Sequence, residues 1–99
     1  MILGRYIKQP VEVKDYTVDY TPWLEPIRDT ISDATTDIVC ITDPTDTSLK
    51  CNVVFLSPMK VKCWISGGTT GKKYKMTLTV TTNDGRVDQS ELIFVIKDF

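Results

Sequence analysis

Histidine is absent from all 99 residues of this chain. Its absence removes the commonest general base, the usual partner of a nucleophilic serine or cysteine, and the commonest metal ligand. No apolar run approaches the roughly 20 residues of a membrane span. Neither sign of charge prevails: 12 basic residues face 13 acidic ones, for a net charge of −1. Such a balance produces no general field toward nucleic acid or an anionic membrane. The opening MILGRYIKQP is too short an apolar stretch for a secretion signal and has no small-residue cleavage site, so the mature chain is expected to start near Met1 and to be made in the cytosol. Cysteine is scarce and odd in number. Cys40, Cys51 and Cys63 stand ten or more residues apart with no Cys-x-x-Cys pair, which argues against both a disulfide framework and a zinc site. They are read as small buried hydrophobes. The expectation is a non-enzyme without cofactor or metal.

What is present is enough apolar material, 41% of the residues, for one small core. Asp29, Asp33, Asp37, Asp43 and Asp46 make the middle acidic, but the calcium-loop pattern is missing and DPTDTS is ordinary turn chemistry. Val11 to Tyr20 reads as one or two extended pieces, and Pro10, Pro22 and Pro26 deny this half a helix interior. Thr30–Ile41 reads as a strand with a break near Asp33–Thr36, followed by a turn at Asp43–Thr47 and a strand at Leu49–Leu56. Met59–Ser66 alternates, Gly67, Gly68 and Gly71 are read as a hairpin loop, Lys73–Thr82 alternates most cleanly, and Val87–Ile96 is the last strand. About seven short strands with turns between them predict an all-β, small antiparallel β-sandwich. Residues 1–10 are read as an N-terminal arm and 11–99 as the sandwich.

The loop Asn83-Asp84-Gly85 decides a register. As a three-residue loop with Gly85 left-handed, it sets Leu78 opposite Ser90, Met76 opposite Leu92 and Tyr74 opposite Phe94, gathering the larger apolar residues on one face. Ile93 and Val95 then fall on the other face. With the glycine loop taken as a hairpin, Trp64 joins them there beside Lys75, and that face is too apolar to meet water alone. Ile2, Leu3, Tyr6 and Ile7 give the arm an apolar surface of its own. Ile2, Leu3, Tyr6, Ile7, Trp64, Ile93 and Val95 are therefore the candidate interface residues, covered by the chain's own arm or by a partner. Lys60, Lys62, Lys72, Lys73 and Lys75 cluster around the same hairpin and are read as a solvated face that discourages edge pairing.

Two stretches resemble a family of small tailed-phage virion proteins, the fiber–tail adaptors. Near the start, the matching residues are Lys8, Pro10, Glu12, Asp15, Tyr16, Asp19, Tyr20, Trp23 and Leu24. Toward the end, they are Val61, Trp64, Ser66, Gly67, Gly68, Thr69, Gly71, Tyr74, Thr82, Gly85 and Arg86. The stretch from about Glu25 to Leu56 carries nothing diagnostic, and Cys63 stands where the pattern has another apolar residue. The resemblance implies an immunoglobulin-like sandwich present in many copies on the virion, in the tail or head-to-tail region. There it would contact tail or neck proteins and the tail fiber, with no nucleic acid and no membrane among its partners. A carbohydrate-binding sandwich using Trp23 or Trp64 is the alternative function. A carboxylate-pair enzyme built on Asp84 and Asp88 is disfavoured by the small size of the chain.

Overall fold

The computed structural model describes residues 2–98, with Ile2 described through its backbone; Met1, Phe99 and the Ile2 side chain lie outside the described residues. Seven strands and one helical turn follow in the order β1 (Ile2–Lys8), β2 (Lys14–Asp19), α1 (Thr21–Leu24), β3 (Ile31–Cys40), β4 (Lys50–Ser57), β5 (Lys60–Ser66), β6 (Lys73–Thr82) and β7 (Val87–Ile96). A four-stranded sheet, β1-β7-β6-β3, packs on a three-stranded sheet, β2-β5-β4. The architecture is the expected all-β sandwich.

Alternation sets which residues enter the core. On β6, Tyr74, Met76, Leu78 and Val80 are fully buried, while the lysines and threonines between them point outward. Val61, Cys63 and Ile65 of β5 meet them from the opposite sheet, also fully buried. Tyr6, Tyr16 and Phe94 join the sheets through ring contacts at 4.4 to 5.7 Å, inside the range where tilted aromatic pairs attract.

The β6–β7 hairpin has the expected register, with Tyr74 opposite Phe94, Met76 opposite Leu92 and Leu78 opposite Ser90. Gly85 is left-handed at φ 90° and donates its N–H to the Thr82 carbonyl at 3.0 Å, closing the three-residue loop. Strand β3 is continuous through Asp33–Thr36; its irregularity is a register shift between Ile31 and Asp33. Pro22 falls in the first turn of α1, where a missing N–H loses no hydrogen bond.

The glycine-rich segment 67–72 is not a hairpin. β5 pairs with β2 and β4, and β6 pairs with β3 and β7, so the segment carries the chain from one sheet to the other. Gly67 and Gly68 have φ of 78° and 96°, and a side chain on Gly67 would run into the Ser48 carbonyl. The positive φ values turn the chain out of the β5 plane and lay Gly68 against Ile96 and Leu49.

Residues 2–8, read as an arm, form an edge strand parallel to β7, with Tyr6 opposite Phe94 and Ile7 opposite Val95. Lys8 ends it. Its side chain is buried, and its Nζ donates to the carbonyls of Gln9 (2.8 Å) and Gly67 (2.6 Å), with Pro10 at 3.4 Å. Burial holds the ammonium below its usual pKa, and Glu12 opposes that shift.

Candidate partner interface

Pairing across the four-stranded sheet places side chains in rows on its outer face. One row runs Arg5, Ile93, Lys75, Val39, from β1 through β7 and β6 to β3. The next runs Ile7, Val95, Lys73, and is continued by Ile41, whose N–H donates to the Lys73 carbonyl at 2.8 Å. Ile7, Val39 and Ile41 are 52%, 45% and 53% exposed, and Val95 is half-buried. Ile93 is buried between Arg5 and Lys75, whose aliphatic stems are long enough to lie over it. The result is an aliphatic patch at one end of the sheet, edged by Arg5, Lys73 and Lys75. Lys75 has Glu91 at 4.0 Å. The Arg5 and Lys73 side chains have no ion-pair partner among the described residues. The patch can bury aliphatic surface and meet acidic groups at its rim.

The sequence-derived interface residues separate into three groups. Ile7, Ile93 and Val95 come together here. Leu3 and Tyr6 face inward, with the Tyr6 ring tilted against that of Tyr16 at 4.4 Å and Leu3 packed on the core. Trp64 does not share this face. It belongs to β5, in the other sheet, opposite Asp15 and Asn52, with Lys62 Nζ 5.4 Å from its ring. A shared face requires a β5–β6 hairpin, and the sheet crossing at Gly67–Gly68 removes that link. The five lysines divide for the same reason. Lys60 and Lys62 are in one sheet, Lys73 and Lys75 in the other, and Lys72 is bound by Asp43 (2.7 Å) and Asp46 (3.4 Å).

Val39 and Ile41 are interface residues that the sequence pattern does not single out. In DIVCI the apolar run hides the alternation, in which Ile38 and Cys40 face in while Val39 and Ile41 face out.

Several other polar groups tie loops and strands together. Asp46 accepts hydrogen bonds from Ser48 N (2.8 Å), Ser48 Oγ (2.6 Å) and Tyr74 Oη (2.9 Å), and these lower its pKa. Asp43, bound to Lys72 and Thr45, is held at about 2. Asp29 is buried against Arg86 at 2.9 Å. Asp84 pairs with Arg86 and Asp88 accepts from Ser90 Oγ. The cysteines are free thiols, and contact with Cys51 together with burial raises the Cys63 pKa. A thiol so raised is no activated nucleophile. No group of three metal-ligating side chains occurs among the described residues, and none of their helices is long and apolar enough to cross a membrane.

The family model of the podophage GP4 fiber-tail adaptor protein gp77 matches residues 8–95. This chain belongs to that family. No curated protein matches it. As a fiber-tail adaptor family member the chain is a phage tail component by kind, which agrees with a fold whose polar clusters are internal ties. The matched span takes in β2 to β6 whole and all but the last residue of β7, and it begins at Lys8, the residue that fastens β1 to the 67–72 crossover.

Proposed function

We propose that this chain is a structural virion protein that links tail fibers to the tail or neck of a podophage through protein–protein contacts, and that the aliphatic face of its four-stranded sheet is one of those contacts. The observation that carries the reading is the patch of Ile7, Val39, Ile41 and Val95, three of them about half exposed on a rigid sheet. A sheet face meant only for water alternates apolar-in with polar-out, as the threonines of the same β6 do further along. A standard stable contact covers about 800 Å² per partner, more than this patch alone, so polar rim groups such as Arg5 and Lys73 take part. The protein acts without catalysis or cofactor, in many copies, and binds neither nucleic acid nor membrane. It is made in the host cytoplasm before joining the particle. The strand order supports an immunoglobulin-like kinship: β2-β5-β4 against β7-β6-β3, with the first strand moved alongside the last.

The test is complementation. A phage lacking this gene is supplied with wild type or with a Val39→Asp, Ile41→Asp variant, and purified particles are assayed for the chain and for fibers. The variant is expected to fold and to be missing from particles, together with the fibers. Normal incorporation and infectivity of the variant would exclude this face as the contact.

A further inference from the structure

We propose that the free edge of β4 pairs antiparallel with β4 of a second copy of this chain, joining two three-stranded sheets into one of six strands. β4 ends its sheet in the order β2-β5-β4, so one side of its backbone has no strand beside it. Among the described residues, no backbone hydrogen bond outside the β4–β5 ladder involves residues 50–57. A row of N–H and C=O groups left in this way is a template for another extended strand.

The side chains along that edge agree. Val54 stands opposite Lys62, on the outer face that also carries Trp64, and is 40% exposed. Phe55 stands opposite the fully buried Val61, on the inward side, yet is 49% exposed. An inward-facing phenylalanine half in water means that the core is open on its β4 side. Native sheet edges are ordinarily blunted by charge. β1 carries Arg5 and Lys8, β2 carries Lys14, Asp15 and Asp19, and β3 carries Asp33 and Asp37. From Cys51 to Ser57, β4 carries none. Its one protection is a bulge between Phe55 and Ser57, which leaves Lys50–Phe55 regular.

A second copy fits this edge because the strand is compatible with itself. An antiparallel pair about a two-fold axis near the middle of β4 lays the uncharged stretch of one copy along that of the other. It brings each Lys50 beside the uncharged Phe55–Ser57 end of the opposite strand. The same operation on β3 about Thr35 would set Asp33 against Asp37, so the three-stranded sheet is the one that extends. The eight residues of β4 give an edge about 26 Å long at about 3.3 Å per residue, on a molecule whose thinnest dimension is 18 Å. That side outlines about 500 Å² per copy, which suits a specific but weak dimer with a Kd in the micromolar range. The pairing goes beyond the adaptor reading and uses the other sheet, leaving the aliphatic patch free.

Full-length protein is followed by analytical ultracentrifugation from about 1 μM to about 1 mM, and amide hydrogen exchange is measured at both ends of that range. A monomer–dimer equilibrium is expected, with β4 amides better protected at the high concentration and those of β1 and β2 unchanged. Val54→Lys puts a charge in the middle of the uncharged stretch and should weaken dimerisation about tenfold or more. Wild-type protein alone decides the matter if that variant fails to fold. A monomer throughout, a dimer whose added protection falls on another strand, or a folded Val54→Lys protein that dimerises like wild type would each overturn the proposal. Protection of β4 that appears only when a tail or fiber protein is added would do the same, because the occupant is then a different chain. The Val39→Asp, Ile41→Asp variant should dimerise as wild type does, and loss of the dimer there would also overturn the pairing. Failure of this edge and failure of the aliphatic contact are thus distinguishable.

Discussion

Lys8 holds a charge where water does not reach, and it is tolerated because its three N–H donors all have carbonyl acceptors. Lys8→Met would leave those carbonyls without their donor, and a loss of about 2–3 kcal/mol in urea unfolding is expected. Glycines in the crossover allow a sharper comparison. Gly67 and Gly71 both have φ near 80°, but a methyl group on Gly67 meets the Ser48 carbonyl while one on Gly71 meets nothing within 4 Å among the described residues. Gly71→Ala should cost about 1–2 kcal/mol, the conformational strain alone, and Gly67→Ala clearly more. Chemical denaturation of the two variants side by side checks this. Several of the residues through which the chain resembles its family are of this kind. Lys8 and Glu12 fix the end of β1, Asp19 caps the Thr21 N–H at 2.9 Å, and Tyr74 Oη links Asp46 to Thr69 N.

Among the elements, the two crossovers that meet at one end of the sandwich are held by ionised carboxylates. Asp43 and Asp46 have pKa values below the ordinary 3.8, with Asp43 at about 2. The unfolded chain therefore takes up protons first as pH falls, so their contribution is complete above about pH 5 and is lost as pH drops through 3.8 toward 2. Urea midpoints measured down this range should fall, and Asp43→Asn should flatten the fall. Period-two patterns make β6, β7 and their register legible in the sequence, because one slip would put Leu92 and Phe94 in water. The 67–72 crossover is not legible. Two glycines followed by a turn read the same for a hairpin and for a sheet change, and which it is depends on Leu49 and Ile96, both distant in the chain. That single ambiguity is enough to assign Trp64 to the wrong face. Val39 and Ile41 are hidden by a different cause, since four apolar residues in a row do not reveal which two face outward.

The whole molecule is elongated, 43 × 22 × 18 Å, with the aliphatic patch toward one end of the four-stranded sheet. Because Val39 and Ile41 already lie half in water, charging them should cost no more than about 1 kcal/mol each, the span of strand propensities. A thermal melt of the isolated variant checks that separation of folding from assembly. The central claim is that the outer face of the β1-β7-β6-β3 sheet is covered in the particle. A density map of the intact tail, resolved to side chains, tests it most directly. The account predicts another protein chain in van der Waals contact with Ile7, Val39, Ile41 and Val95 and acidic side chains near Arg5 or Lys73. A map in which those four aliphatic residues face open solvent in every copy would contradict it.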